Sequence, residues 1–409
     1  MSLRGWQARP NTFTRGDTKN MKHFQALAAA AALSCVTVTP LHAADAVKIG
    51  MITTLSGGGA SLGVDIRDGF ELALKQKGGK LGGVATDLSI VDDARKVENA
   101  KQIATRMIKQ DDVDVVTGIV WSNLAMAVVP SVTRAGKIYI SPNAGPSALA
   151  GKNCNANYFN VAWQNDNLHE AMGQYVTDKG FKNVYLMAPN YPAGKDALAG
   201  FKRYFKGNVA AEVYTKLGQV DYAAEIANLR AAKPDAVFFF LPGGMGINFV
   251  KQYAQAGLTK DVPLFGPAFS FDEGILKAVG TAAVGTFNTS QYSHDLDNAA
   301  NKAFASAFVT AYGRKPSLYA SQGYDAAMLL DSAIAKVHGN VKDADAFRAA
   351  LKAADFTSVR GAFKFGPNQH PVQDIYVREV VKDGDSVTNK LVGKVFANHG
   401  DAYAADCKM

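Results

Sequence analysis

The chain has 409 residues, 48% of them hydrophobic and 20% charged. That length exceeds one ordinary core and the composition excludes a disordered chain, so about two packed domains are expected. The net charge is +8, but Arg4, Arg9, Arg15, Lys19 and Lys22 against Asp17 place half of that excess before residue 44. The remainder forms no Lys/Arg cluster, which argues against a nucleic-acid partner.

In chain order, Met21-Lys22-His23 opens a short basic region. The apolar run behind it, "FQALAAAAALSCVTV", is too short to span a bilayer, and "TPLHAADA" supplies small residues for cleavage after Ala43. Residues 1–43 therefore read as an upstream extension followed by an export signal, with Met21 as the expected start and the periplasm as the destination. Cleavage before Cys35 with lipidation is the alternative; "ALSC" lacks the leucine a good lipobox carries three residues before its cysteine. Past residue 43 only Cys154 and Cys407 remain. In an oxidising compartment they are expected to pair, the alternative being two free thiols. No later run is long enough for a transmembrane helix.

The rest alternates strand-like and helix-like segments. "AVKIGMITT" reads as a strand and "VDIRDGFELALKQKGG" as a helix ending in a Gly pair. "DLSIVDDA" is strand-like, and "KVENAKQIATRMIKQD" turns Val97, Ala100, Ile103, Ala104, Met107 and Ile108 toward one helical side. "VDVVTGIVW" is a buried strand, "SNLAMAVVPSVTRAG" a helix with a polar start and a terminal Gly, and "KIYISPNAG" a strand and turn. The rhythm restarts at "NVYLMAPNYPAGKDALAGFKRYFKG" and continues through "AEVYTKLG", "YAAEIANLRAAKPDAVFFFLPGG", "INFVKQYAQAGL" and "VPLFGPAFSFDE". A helical region at "NAANKAFASAFVTAYG" and "LYASQGYDAAMLLDSAIAKV" precedes terminal strands from "GAFKFG" onward. Such βαβα alternation predicts an α/β protein with parallel sheets covered on both faces. The two units join near residues 160–170 with no low-complexity linker.

One stretch, "TLSGGGASLGVD", admits three readings. Gly59-Ala60-Ser61-Leu62-Gly63 matches the G-x-S-x-G nucleophile elbow. An elbow serine sits directly after its strand, whereas here a glycine run intervenes, which would not hold a nucleophile in register. The histidines past residue 43 are His169, His294, His338, His370 and His399, none with a local setting that marks an oriented base. A hydrolase using Ser61 is therefore a remote alternative. A phosphate loop fails because Leu62 stands where G-x-G-x-x-G needs its last glycine and Gly-Lys-Ser/Thr is absent. No metal-ligand spacing is present, and neither a cofactor nor a metal is expected. The third reading is the mouth of a cleft. Polar or Gly-rich turns follow strand after strand: "LSGGGASLG", "WSNLA", "SPNAGPS", "PNYPAGKD", "LPGGMG" and "GPAFSFD". In an open parallel sheet ligands bind outside the carboxyl ends of the strands, and helix N-termini there seat a carboxylate.

At these residues the chain resembles the substrate-binding proteins of branched-chain amino acid ABC transporters. The likeness runs through "VKIGMITTLSGGGASLG", "DDARKVENAKQIATRMI", "VDVVTGIVWSNLAMAVVP", "ISPNAG", "NYPAGKDALAGF" and "QGYDAAMLL", and so covers essentially all of the chain past residue 43. The resemblance implies a type I periplasmic-binding fold, two Rossmann-like lobes joined by three hinge crossings, without enzymatic activity, acting as a monomer with a membrane permease as partner. On that plan residues 44–163 and 291–365 form the first lobe, and 164–290 and 366–409 the second. The resemblance places the ligand carboxylate on Ser122, with Asn123, and on the Asn143, Ala144 and Gly145 turn. It aligns the family's usual tyrosines with Leu62 and Ala193, and its ammonium-pairing acidic residue with Ala268. Ser56, Trp121, Tyr191, Gly243 and Phe269 complete the candidate ligand-binding set, and Trp121 and Phe271 read equally as core or ligand wall.

That departure has a physical consequence. A desolvated ammonium without an anionic partner costs several kcal/mol. A site whose ammonium partners are replaced by Ala193 and Ala268 is expected to take a carboxylate on an apolar body, and "WSN" with "NYPAGKD" is similar to the aromatic-acid branch of the family. A benzoate- or cinnamate-like acid is the expected ligand; a branched-chain amino acid, an amide or urea is the alternative.

Overall fold

The structure is a computed structural model and describes residues 46–409. The expected export signal, its cleavage point and Cys35 lie outside the described residues.

The first sheet is built from β1 (Val47–Thr53), β2 (Lys80–Leu81), β3 (Val84–Asp92), β4 (Val115–Thr117), β5 (Ile138–Ser141) and β6 (Tyr158–Asn160). Their spatial order is β2-β3-β1-β4-β5-β6. All pairs are parallel except the β2–β3 hairpin; Ile49 faces Leu88 on one side of β1 and Val115 on the other. A central strand is covered on both faces, which is why β1 and β4 read as continuous apolar runs while the outer β3 alternates between exposed and half-buried residues. The helices α1 (Ala60–Gln76), α2 (Val97–Lys109), α3 (Ser122–Arg134) and the single turn α4 (Ser147–Ala150) connect these strands.

The chain then crosses to a second sheet. It runs through α5 (Asn167–Asp178), β7 (Asn183–Pro189), α6 (Pro192–Tyr204), β8 (Asn208–Thr215), α7 (Ala223–Ala232), β9 (Ala236–Phe239), α8 (Gly244–Gln255), β10 (Leu264–Pro267), α9 (Glu273–Val279) and β11 (Phe287–Ser290). A second crossing leads to α10 (Ala299–Tyr312), α11 (Leu318–Lys336) and α12 (Ala344–Ala353), of which α11 lies along α1 of the first sheet's layer. A third returns it to β12 (Phe363–Phe365), β13 (Pro371–Asp383) and β14 (Ser386–His399). The second sheet has the order β12-β13-β11-β10-β9-β7-β8, with β14 paired to β13. Phe363–Phe365, which the sequence division leaves in the first lobe, pairs antiparallel with β13 and so extends the second sheet.

A buried ion pair stitches the crossings together. Arg360 and Asp325 are both enclosed, with Nε 2.9 Å from Oδ2. The same guanidinium donates to the carbonyls of Val161 and Ala162 in the first crossing and to Gln373 Oε1 on β13. Asp325 also accepts from Ser358 Oγ (2.6 Å) and the Val359 N–H (3.1 Å). Buried charges need this density of partners.

Two glycines set the spacing of α1 and α11. A methyl group on Gly69 would come within 2.0 Å of the Ala320 carbonyl oxygen, and one on Gly323 within 2.0 Å of the Ile66 oxygen. The two backbones therefore touch at both points. Gly69→Ala or Gly323→Ala is expected to cost roughly 1–3 kcal/mol by overpacking, whereas Gly393→Ala on β14 meets nothing within 4 Å and should leave the melting temperature unchanged. Equal melting temperatures for all three variants would refute this account of the helix pair.

Cys154, just past α4, and Cys407, in the C-terminal tail, form a disulfide across 253 positions of sequence. The tail lies over Gly151 through Tyr403 and Asp406. Asn368 Nδ2 joins the same region, donating to the Ala150 carbonyl (2.9 Å) and to the Asp401 carboxylate. Thiol titration of the denatured, unreduced protein lacking its first 43 residues should find no reactive thiol; two would contradict the bridge.

Candidate functional site

The order of strands reverses between β1 and β4 in the first sheet and between β7 and β9 in the second. At such switch points adjacent connections leave on opposite faces, and a crevice opens at the carboxyl ends of the strands. The two crevices meet in one cavity lined from both sheets. From the first sheet come Leu62 of α1, Val120, Trp121 and Ser122 after β4, and Asn143 and Ala144 after β5. From the second come Tyr191 and Ala193 after β7, Phe240 and Pro242 after β9, and Phe269 after β10. Trp163 and Asn165 in the first crossing, His169 of α5 and Tyr319 of α11 complete the lining.

Asn165 organises the polar end. Its Nδ2 donates to Ser122 Oγ (3.1 Å) and Asp196 Oδ2 (2.9 Å), and its Oδ1 accepts from the Gly145 N–H (3.1 Å) and Trp163 Nε1 (3.3 Å). The two donors facing Oδ1 fix which way the amide points. Ser122 Oγ therefore accepts from Asn165 and keeps its own proton to donate. Ser122 is also the first residue of α3, whose opening N–H groups have no carbonyl within the helix to bond and carry the positive end of its dipole. The neighbouring Ala144 N–H reaches only the Ile119 oxygen, 3.5 Å away. This corner can hold an anionic oxygen without a cation.

The rest of the wall is mostly aromatic. Trp121 Nε1 donates to Thr54 Oγ1 (3.0 Å), which donates to the buried Asp93 (2.7 Å). The Arg95 guanidinium lies 5.5 Å from the indole centre. Tyr191 stacks on Phe240 at 6.2 Å and inclines to Trp121 at 6.4 Å; Phe269 packs on Trp163 at 4.5 Å. His169 is enclosed by Phe238, Phe240 and Phe269, and burial pulls its pKa down to about 3. The imidazole is neutral, and no Asp, Glu, Lys or Arg lines the cavity among the described residues. Burial raises the Asp196 carboxyl above its ordinary value, against the pull of Ser147 and Asn165. Asp196 lies on α6, and its two oxygens take the N–H (3.0 Å) and hydroxyl (2.7 Å) of Ser147 at the start of α4, so it ties the two layers together beside the cavity.

Of the residues expected from sequence, Leu62, Trp121, Ser122, Asn143, Ala144, Tyr191, Ala193 and Phe269 line the cavity. Asn143 braces its turn, donating through Nδ2 to the Val120 oxygen (2.6 Å). Five others stand elsewhere. Ser56 is exposed and bonds Asp92. Asn123 is one position further round α3 and half-buried. Gly145 spends its N–H on Asn165. Gly243 caps α8 with φ +65°, where a methyl group would lie 2.9 Å from the Gly58 oxygen of the facing turn. Ala268 is fully buried behind Phe269, and Phe271 packs on Phe239 at 5.3 Å in the core. The turn after β5 leads into only four residues of helix, so it offers no second dipole of the kind α3 provides.

The glycine run has a packing explanation. A methyl on Gly59 would fall 2.5 Å from the Trp121 ring, and one on Gly63 2.0 Å from the Thr54 oxygen. Ser61 is exposed in the first turn of α1 and has no hydrogen-bonded base among the described residues.

Sequence reasoning missed Val120, Trp163, Asn165, His169, Phe240, Pro242 and Tyr319. It searched the turns after strands, and "WQND" is a crossing while Tyr319 sits in a helix. Phe240 precedes the "LPGGMG" turn and Pro242 lies within it, next to Gly243.

Two α/β layers whose switch points close on a single polar-ended, aromatic-walled cavity define a two-lobed small-molecule binding fold. The chain belongs to the periplasmic binding protein family, whose profile matches residues 46–385. Its fold is that of the type I members. It is similar to an ABC-transporter solute-binding protein from R. palustris solved in complex with benzoate, at 35% identity and a TM-score of 0.84, over 89% of this chain and 100% of that one. It is similar to another from Rhodopseudomonas palustris BisB5, in complex with 3,4-dihydroxybenzoic acid, at 31% identity and a TM-score of 0.81, over 88% and 99%. It is also 28% identical to the Leu/Ile/Val-binding protein homolog 6 of Brucella melitensis biotype 1, over 90% of this chain and 97% of that protein.

The depressed His169 pKa makes a signed prediction. The folded protein resists protonation down to about pH 3, while the unfolded chain takes up the proton near pH 6.5. Stability linked to this group is present above pH 6.5 and is lost as the pH falls toward 3. Between pH 7 and pH 5 the stability of the wild type should fall by about 2 kcal/mol more than that of His169→Gln. Urea unfolding of both at the two pH values measures it, and parallel losses would show that His169 is not buried neutral.

Proposed function

We propose that this chain is the periplasmic solute-binding protein of an ABC importer and that its ligand is an aromatic carboxylate of the benzoate or cinnamate kind. The observation that carries this reading is the Ser122 hydroxyl, oriented by Asn165 to donate at the N-terminus of α3, inside a cavity otherwise walled by Trp121, Trp163, Tyr191, Phe240 and Phe269. The carboxylate takes the hydroxyl and the helix N–H groups, and the ring lies among the aromatic side chains, with Ala193 leaving room. The benzoate and dihydroxybenzoate held by two similar proteins support the ligand class.

The Brucella relative's name favours a second reading, a branched-chain amino acid. That ligand brings an ammonium group, and no carboxylate lines the cavity among the described residues to receive it. The same objection applies less to an uncharged amide or urea, which would leave the seat at α3 without its anion.

On this reading the protein works as a monomer that delivers its ligand to a membrane permease. The lobes, residues 44–163 with 291–362 and 164–290 with 363–409, close on the ligand and open to release it.

Calorimetry with benzoate, cinnamate and leucine tests the reading. An aromatic acid should bind and leucine should not. Ser122→Ala should weaken binding by about 1.5–3 kcal/mol, the range for a hydrogen bond to a charged group, while circular dichroism shows the fold kept. Tight leucine binding without a response to either acid restores the amino-acid reading.

A further inference from the structure

We propose that His169 selects among aromatic acids by hydrogen-bonding a polar group on the ligand's ring, so that the preferred ligand is a hydroxylated benzoate rather than benzoate itself. This rests on the reading of the cavity as an aromatic-carboxylate site.

His169 lines the cavity and is 1% exposed. Its backbone is tied into the first turn of α5, the N–H donating to the Asp166 oxygen at 2.9 Å. Its ring is not tied to anything polar. Nδ1 is enclosed with no partner, and neither ring nitrogen makes a hydrogen bond to any described residue. The ring centres around it are aromatic: Phe240 at 5.0 Å, Phe238 at 5.8 Å and Phe269 at 6.0 Å.

A neutral imidazole has one N–H donor and one lone-pair acceptor. Enclosing such a group unpaired disfavours the arrangement by roughly five- to 150-fold. A phenylalanine would fill the same aromatic nest without that penalty. The polar ring has a function only if something polar arrives in the cavity, and the cavity opens to the ligand. The Ser122 hydroxyl and the imidazole also stand on different walls of the same cavity. Ser122 stands on the first-sheet wall, at the start of α3, and His169 stands on the second-sheet wall among side chains of β9 and the turn after β10. A ligand with its carboxylate at Ser122 and a hydroxyl at His169 touches both lobes through polar contacts. A phenolic hydroxyl suits either tautomer, since it donates to the lone pair or accepts from the N–H. Benzoate fills the seat at Ser122 and leaves the imidazole as it was. A site built to pair a substrate hydroxyl discriminates strongly against the analogue that lacks it.

The test is calorimetric titration of the wild type and His169→Phe with benzoate, 3-hydroxybenzoate and 4-hydroxybenzoate. At least one hydroxybenzoate should bind the wild type about tenfold or more tightly than benzoate. In His169→Phe that preference should vanish, the hydroxybenzoate weakening while benzoate holds or tightens. Benzoate binding as tightly as both hydroxybenzoates, or a preference unchanged in the variant, overturns the inference and leaves the aromatic-acid reading standing. If none of the three binds the wild type, the inference falls, and the response to cinnamate then decides whether the aromatic-acid reading beneath it falls too. Should the variant not fold, the wild-type ratio decides alone.

Discussion

The carboxamide of Asn165 is bonded at each of its four hydrogen-bonding positions, and the binding site is arranged around it. Two donors face its oxygen and two acceptors face its nitrogen. Through these it orients the Ser122 hydroxyl, fixes the backbone at Gly145, anchors the Trp163 indole and holds the Asp196 carboxylate. A buried network with every member satisfied is rigid, and one with a member missing is costly. Asn165 sits in the first crossing between the sheets. The polar end of the cavity is therefore built on that crossing, and both walls are tied to it.

The same network joins the walls. Asp196 belongs to α6 and accepts from Ser147 at α4, while Gly243 and Gly244 lie against the Gly58 backbone and Gly218 against Arg95. Aromatic contacts accompany these polar and backbone ones, Trp121 meeting Tyr191 at 6.4 Å and Phe269 meeting Tyr319 at 6.3 Å. The cavity is lined from both sides, so on the proposed reading a ligand that touches Ser122 on one side and Tyr191 or Phe269 on the other adds contacts that span both. On that reading, binding shifts the population toward the closed form.

Much of this was legible in the sequence because the signals are local. Apolar runs gave the strands, and "SNLAMAVVPSVTRAG" begins its helix at Ser122, as its polar start indicated. The turns after β1, β4, β5, β7 and β10 supplied Leu62, Trp121, Ser122, Ala144, Tyr191 and Phe269 because switch-point geometry brings strand ends together. What was not legible depends on contacts between distant segments. Asn165 is one polar residue among several in "WQND", and nothing local separates it from Gln164 or Asp166. His169 and Tyr319 sit on helices whose orientation relative to the cleft is a tertiary fact. Ala268 and Phe269 show the one-residue limit of comparing turns by eye: which of two neighbours faces inward is set by how the turn packs, here with Phe269 against Trp163. The Arg360–Asp325 pair was equally invisible, since its partners come from three separate stretches of chain.

The polar groups that remain uncommitted describe the ligand more closely than those already paired. Trp121 Nε1 is taken by Thr54, Asn143 Nδ2 by Val120, and all of Asn165 by its neighbours. Left without a partner among the described lining residues are the Ser122 proton, the first N–H groups of α3, the hydroxyls of Tyr191 and Tyr319, the Asn143 amide oxygen and the His169 imidazole. None of these carries a charge near neutral pH, because burial raises both tyrosines and lowers the histidine. On the proposed reading an anion is met by dipoles alone. A guanidinium or ammonium in the wall would bind the carboxylate more strongly but would have to be desolvated each time the lobes closed. Fixed dipoles at a helix N-terminus need no such reorganisation, which suits a protein that must both hold its ligand and let it go.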